Sequence, residues 1–307
     1  MIKDIIKYLP NELSNEILRT NVSDEIKEIR IRQKNKVCLI TNNFEVFLNY
    51  VPSINDLLNI LVNISKNSIY AIQNDINNGF VVIPGGHRIG ICGEVVMQDS
   101  KIKNIKNINS MNIRVAREVI GASNKILPYI VLPENKIRNT LIVSPPGCGK
   151  TTILRDLIRQ LSNGNKVLNF KGKNIGVVDE RGEIAAVYLG KLALDLGIRT
   201  DVISNCSKSK GMEMLVRSMA PEIIATDEIG TKEDIEAIKN AALSGVSLIF
   251  TMHGRDLSDV YKKTNIEELI NSGIFSCIVF LSNRNGVGTI EDIKILNGEE
   301  EKMYGCG

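Results

Sequence analysis

The chain has 307 residues, of which 43% are hydrophobic and 24% charged, with a formal net charge of +3; that length suits two domains with ample core, and so small a charge leaves no electrostatic footprint for a nucleic-acid partner. Aromatic residues are only 5% and Trp is absent, which argues against a base-stacking platform, and the six cysteines are scattered, with no CxxC pair and no histidine at ligand spacing, which excludes a zinc site or a disulfide framework. Met1 to Tyr8 lacks the apolar core of a signal peptide and no window reaches the about 18 apolar residues of a membrane span, so a cytoplasmic protein with no transmembrane segment of its own is expected.

In chain order, Glu28-Ile29-Arg30-Ile31-Arg32 alternates as a strand, and Lys36 to Ile40 continues as its hairpin partner. Residues 54 to 76 carry apolar residues at helical spacing. Residues 80 to 83 and 88 to 96 read as two strands across the turn Pro84-Gly85-Gly86-His87, the polar stretch 98 to 109 reads as a loop, and Asn112 to Glu118 resumes as an alternating strand. These elements make a small α+β domain over residues 1–125. Pro128, Pro133, Glu134 and Asn135 mark a linker at 126–136, and a second domain follows at 137–307.

The second domain alternates apolar strands (140 to 144, 174 to 179, 222 to 227, 246 to 252) with helices, the α/β pattern of a mainly parallel sheet. Between Leu141-Ile142-Val143 and a helix lies Ser144-Pro145-Pro146-Gly147-Cys148-Gly149-Lys150-Thr151-Thr152. This is a phosphate-binding loop, GxxxxGK[ST], with Ser144 in place of its first glycine. Its backbone amides and the following helix N-terminus suit the phosphates of ATP. Lys150 would reach the β- and γ-phosphates, and the Thr151 hydroxyl would ligate Mg2+. Cys148, inside the loop, reads as a small space-filler more readily than as a reactive thiol. The next helix buries Leu154, Leu157, Ile158 and Leu161, is expected to turn Arg155, Asp156 and Arg159 outward, and stops at Asn163-Gly164.

Functional groups belong at the carboxyl ends of the strands. Pro221 to Glu228 is a buried-strand pattern ending in two carboxylates, of which Asp227 can hold Mg2+ and Glu228 can polarise the attacking water. Val178-Asp179-Glu180-Arg181-Gly182-Glu183 is a second acidic box, with Glu180 a further candidate catalytic carboxylate. Thr231 with Asp234 starts a helix whose buried stripe is Ile235, Ile238, Ala242 and Leu243. Of the two histidines, His253 closes a strand on the loop's edge and is read as a reporter of the γ-phosphate, against the alternative of a hydrogen-bonded turn histidine. His87 is read as such a turn residue.

Residues 134 to 255 resemble the ATPase core of the type II/IV secretion and pilus-motor superfamily, with its phosphate loop, acidic box, second carboxylate strand and the histidine box Thr251-Met252-His253. Over nearly the whole chain the sequence resembles the stage III sporulation protein AA family, on Pro84 to Gly90, Asn112 to Glu118, the phosphate loop, Gly197 to Val202 and Arg217 to Glu222. Many secretion motors carry glycine where this chain has Asp227, which argues for the sporulation branch. The resemblance implies a RecA-like P-loop ATPase core and a ring-shaped homo-oligomer, a hexamer, lying peripherally at the inner face of the mother-cell membrane around the forespore. There it would serve a membrane-embedded channel complex. It also implies arginines that complete a neighbouring subunit's site: Arg114 and Arg117 first, with Arg88, Arg199 and Arg217 behind them, each weighed against a plain surface charge. Two other readings stay open, a nucleic-acid-dependent RecA-like ATPase and a nucleotide-binding assembly scaffold with negligible hydrolysis.

Overall fold

The computed structural model describes residues 2–296 except 42, 67, 117, 189 and 263. The chain forms two compact units, residues 1–117 with 186–193, and residues 118–185 with 194–307. In unit 1, α1 (Ile2–Ile6) and α2 (Asn11–Arg19) precede β1 (Glu28–Arg32), β2 (Cys38–Ile40) and β3 (Glu45–Phe47); α3 (Ile54–Ile64) and α4 (Gln73–Asn77) lead to β4 (Phe80–Ile83), β5 (His87–Gln98) and β6 (Lys101–Arg114). The six strands form one antiparallel sheet in the order β3-β2-β1-β6-β5-β4. One face of that sheet buries Ile29, Ile31, Leu39, Val81, Ile89 and Ile113 in a core shared with Leu13, Ile17, Leu57 and Ile60 of α2 and α3.

Two expectations change here. Residues 54 to 76 are not one helix: α3 starts on a Ser53/Asp56 capping box and ends where Lys66 takes the left-handed region at φ 50°, before a short 3-10 turn and α4. The polar stretch 98 to 109 is not a loop but the outer half of the β5–β6 ribbon. Asp99 and Ser100, at φ 49° and 60°, form the kind of turn whose twist matches two antiparallel strands. Lys101 to Lys106 pairs with Glu94 to Gln98 through its backbone, so apolar alternation is not needed.

Unit 2 begins at Glu118, and so takes in the whole stretch read as a linker together with residues 118–125. Residues 126–136 carry α5 (Leu127–Ile130) and β7 (Val131–Leu132), which pairs with β8 (Lys136–Ile137), and Ile126, Leu127 and Ile130 are buried. There follow β9 (Thr140–Ser144), α6 (Lys150–Asn163), β10 (Ile175–Asp179), β11 (Thr200–Ser204), α7 (Lys208–Ser218), β12 (Ile223–Thr226), α8 (Lys232–Leu243), β13 (Ser247–His253), α9 (Leu257–Tyr261), α10 (Thr264–Asn271), β14 (Cys277–Ser282) and β15 (Thr289–Ile295). The sheet order is β11-β10-β12-β13-β9-β14-β15, parallel except for β15. β9 and β10 are buried along their whole length, as central parallel strands between two layers must be. The chain leaves this unit after Ala185 and rejoins it at Leu194, an excursion the two-segment division of the sequence does not contain.

On α6, Leu154, Leu157, Ile158 and Leu161 are buried, but so is Asp156, at 4% exposure, which overturns its placement on an outward face. On α8, Ile235 and Ile238 are buried, whereas Leu243 is 87% exposed because the helix ends at that residue, with Gly245 in the left-handed region. Cys38, Cys92, Cys148, Cys206 and Cys277 are free thiols; Cys306 lies outside the described residues. Among the described residues no helix is long and apolar enough to cross a membrane.

Candidate functional site

β9 delivers the chain to the carboxyl edge of the unit 2 sheet at Ser144, and the loop to Lys150 turns there on Gly147 and Gly149, at φ 74° and 88°. A side chain at Gly149 would be strained by that angle and crowded as well, because its Cβ would stand 3.0 Å from Val287 Cγ1 and 3.2 Å from Gly288 N. Ser144, in the position of the usual first glycine, is buried and turns its hydroxyl inward to donate to Pro145 O at 2.8 Å. Pro146 is exposed and Pro145 half-buried, while Cys148 is buried with Sγ on Pro146 O at 3.7 Å, a space-filling placement. The amides of Gly147, Cys148 and Gly149 donate to no acceptor among the described residues, so the cradle retains the donors that phosphate oxygens need. Thr151 and Thr152 follow in the first turn of α6, both half-buried.

Lys150 is 5% exposed, and its ammonium donates to Ser144 O at 3.1 Å, Pro145 O at 3.2 Å and His253 Nδ1 at 3.1 Å. A lysine can only donate, so Nδ1 accepts and the imidazole proton sits on Nε2, from which it is donated to Glu228 Oε1 at 2.8 Å. His253 thus joins the phosphate-loop lysine to a carboxylate through one ring. Glu228 itself adopts φ 54°, uncommon for a residue other than glycine. Its amide donates to Thr251 Oγ1 at 2.9 Å, and its second oxygen takes Arg181 Nη1 at 2.6 Å. Thr151 Oγ1 donates to Asp227 Oδ2 at 2.6 Å, while the Thr251 hydroxyl holds Oδ1. A hydroxyl and one carboxylate in contact are the protein ligands that Mg2+ takes when phosphates and waters supply the rest, so the donor set fits this ion.

Glu180 lines a cleft shared with Asp227 and Glu228, and forms an ion pair with Lys208, which is 8% exposed. Asp179, beside it, is committed elsewhere: its oxygens accept the amides of Glu183 at 2.9 Å, Ile184 at 3.1 Å and Ala185 at 2.8 Å, closing the turn after β10. Lys208 carried no signal in the sequence, because its partner is 28 residues away and no spacing rule links them.

The helix behind the loop is held by polar groups. Asp156 accepts the amides of Gly121 at 3.1 Å and Ser123 at 2.9 Å, the Ser123 hydroxyl at 2.8 Å, Gln160 Nε2 at 2.9 Å and Arg159 Nη2 at 2.7 Å. Burial would raise its pKa, but these donors outweigh it and hold the carboxyl at about 2. Arg155 donates to Ile184 O at 2.8 Å and Glu183 O at 2.7 Å, and its burial lowers its pKa.

Arg114, at the end of β6, is exposed and stands 3.6 Å from Glu28. Arg117 lies outside the described residues. Arg88 packs its guanidinium 3.6 Å over the Phe80 ring, Arg199 donates to Ser162 O at 2.9 Å, and Arg217 pairs with Glu213 at 2.7 Å, so each has a local structural partner. His87 is fully buried; its Nδ1 accepts the Ala116 amide at 3.1 Å, its Nε2 has no partner among the described residues, and burial pushes its pKa down to about 4.

The family model described as "Sporulation stage III, protein AA" matches residues 2–300, and the chain belongs to that family. Stage III sporulation protein AA of Bacillus subtilis (strain 168) is 38% identical over 294 residues, spanning 95% of this chain and 94% of its own length. Among solved structures, the ATPase DotB of Yersinia pseudotuberculosis matches with a TM-score of 0.61 at 14% identity, over 92% of this chain and 78% of its own. The pilus retraction motor PilT with bound ADP matches with a TM-score of 0.55 at 16% identity, over 86% and 76%. At such identities the likeness is one of fold, and the α/β architecture with its largely parallel sheet is that of these ATPases.

Proposed function

We propose that this member of the sporulation stage III, protein AA family is a Mg2+-dependent ATPase that drives or assembles a secretion-like channel complex in endospore formation. The observation that carries the reading is the meeting of Lys150, Thr151, Asp227, Glu228 and His253 in one hydrogen-bonded chain at the carboxyl edge of a parallel sheet.

On binding ATP, Lys150 exchanges the carbonyls of Ser144 and Pro145 for oxygens of the β- and γ-phosphates, and the loop amides take the others. Thr151 and Asp227 would hold Mg2+, which would supply neutralisation of the charge developing on the transferring phosphoryl group. Glu228 accepts a proton from the water that attacks the γ-phosphorus as the bond to the β–γ bridging oxygen breaks and ADP departs. For this its Arg181 contact must loosen, and Glu180, fixed by Lys208, faces the same cleft and orients the water. When Lys150 leaves Nδ1 of His253, the imidazole loses one of its donors, so nucleotide occupancy is relayed to Glu228 through the ring.

The assembly is a ring, a hexamer, in which Arg114 and Arg117 of one subunit reach the γ-phosphate held by its neighbour. It lies at the cytoplasmic face of the channel, on the mother-cell membrane around the forespore. Lys150→Ala tests the site. Removing a buried charged donor from the phosphates costs about 3 kcal/mol, or roughly a hundredfold in ATP affinity, with the circular dichroism spectrum unchanged. Undiminished ATP binding in that variant removes the basis of the assignment.

A further inference from the structure

The turn between β14 and β15, residues 283–288, stands at the same sheet edge as the phosphate loop. β14 runs parallel to β9 and directly beside it, from Cys277 opposite Thr140 to Phe280 opposite Val143, so both strands release their chains on one side. The turn then touches the loop. Gly288 N donates to Cys148 O at 3.1 Å, and Val287 packs so close to Gly149 that a Cβ there would be 3.0 Å from its Cγ1.

The flanks of β9 differ in chemistry. Asp227, Glu228 and His253 come from the ends of β12 and β13, which lie on one side of β9, whereas β14 lies on the other. A triphosphate cradled by the loop with its terminal phosphate toward those groups has its α-phosphate, and therefore its nucleoside, toward β14. There Val287 is 57% exposed although it contacts the loop, which leaves a branched apolar surface beside the phosphate anchor and open to a ligand. Arg284 and Asn285, both exposed in the same turn, add polar groups that can meet the edge of a base.

We propose that this turn is the nucleoside-recognition element of the site, with the base of a nucleoside triphosphate lying against Val287. The proposal rests on the reading of the phosphate loop as an ATP site and adds what determines its preference for a nucleotide over a bare polyphosphate. A second place for the base is a cleft between Glu118, Ile120, Thr152 and Arg155, along α6.

The test uses the full chain with Mg2+ and three measurements. Calorimetric titration compares ATP with inorganic tripolyphosphate in the wild type and in Val287→Ser, and 8-azido-ATP labelling of the wild type is mapped by mass spectrometry. The wild type is expected to bind ATP at least about tenfold tighter than tripolyphosphate. Val287→Ser is expected to weaken ATP about five- to tenfold, the factor for one aliphatic contact, and to leave tripolyphosphate unchanged. The label is expected within residues 283–289.

Equal affinity of the wild type for both ligands, or label on Val119 and Ile120, overturns the proposal while leaving the phosphate site standing. An equal loss of both ligands in Val287→Ser makes the turn a buttress of the loop and also overturns it. A wild type that binds neither ligand overturns the nucleotide reading itself. The labelling needs no variant, so the outcome does not depend on Val287→Ser folding.

Discussion

Asp156→Asn removes a charge from behind the phosphate loop while keeping the side chain's shape. The carboxylate is 4% exposed and accepts from Gly121, Ser123, Gln160 and Arg159. Holding it at about 2, against an ordinary value near 3.8, is worth about 2 kcal/mol at neutral pH. The Asn amide also turns an NH2 toward a set of donors of which only the Ser123 hydroxyl can also accept, leaving at least one buried donor unmet at a further cost of about 1 kcal/mol. The sum, about 3 kcal/mol, corresponds to a fall in melting temperature of roughly 6–12 °C for a unit of this size.

The pH dependence has a definite sign. Because the folded pKa is depressed, the stabilisation is complete above about pH 4 and is lost as pH falls toward about 2, so the gap between wild type and Asp156→Asn should narrow over that window to the about 1 kcal/mol of the unmet donor. Differential scanning calorimetry of both proteins at several pH values measures this. A variant melting within about 1 °C of wild type at pH 7 would refute the buried-carboxylate account and show that water or other groups take over its donors.

Three further outcomes are expected. His87 is neutral when folded, with a pKa of about 4, and takes a proton near 6.5 when unfolded, so wild-type stability should fall by up to about 3 kcal/mol as pH drops from 6.5 to 4; His87→Asn, whose oxygen can replace Nδ1, should flatten that slope in thermal unfolding, and an unchanged slope assigns it to other groups. Gly149→Ala combines a left-handed φ with a Cβ against Val287 and Gly288, and should weaken ATP binding by at least about tenfold in equilibrium titration, the effect of about 1.4 kcal/mol of strain; wild-type affinity would mean that the loop relaxes freely. Arg114→Ala with Arg117→Ala should abolish turnover, and mixing that protein with Lys150→Ala should restore part of it, because one contributes phosphate loops and the other arginines. Full activity in the double variant alone would confine those arginines to local contacts.

What the sequence made legible and what it hid follow from the range of the interactions. The phosphate loop, its flanking strand and helix, and the two carboxylates ending β12 are local patterns, each readable within a dozen residues. Helical periodicity turns Asp156 outward because it sorts residues by polarity and assumes one covered face; residues 121 and 123, more than 30 positions earlier, cover the other. Lys208 and Glu180 meet across the end of the sheet, where only tertiary structure pairs them. The β5–β6 ribbon is not legible in the sequence because Lys101 to Asn109 lacks apolar alternation; its order comes from the backbone pairing of Lys101 to Lys106 and a two-residue turn. Leu243 fitted the helical stripe by spacing, yet sits where α8 stops.

The most direct test of the central claim is single-turnover hydrolysis and equilibrium ATP binding measured side by side for wild type and Glu228→Gln. The substituted side chain keeps its size and its one carbonyl oxygen can still accept from either His253 or Arg181, but it accepts a proton from water far less readily. ATP affinity within about threefold of wild type, with the rate of hydrolysis lowered at least about a hundredfold, is the expected result. Hydrolysis at the wild-type rate in Glu228→Gln, or no hydrolysis by the wild type at any protein concentration with ATP bound, would contradict it.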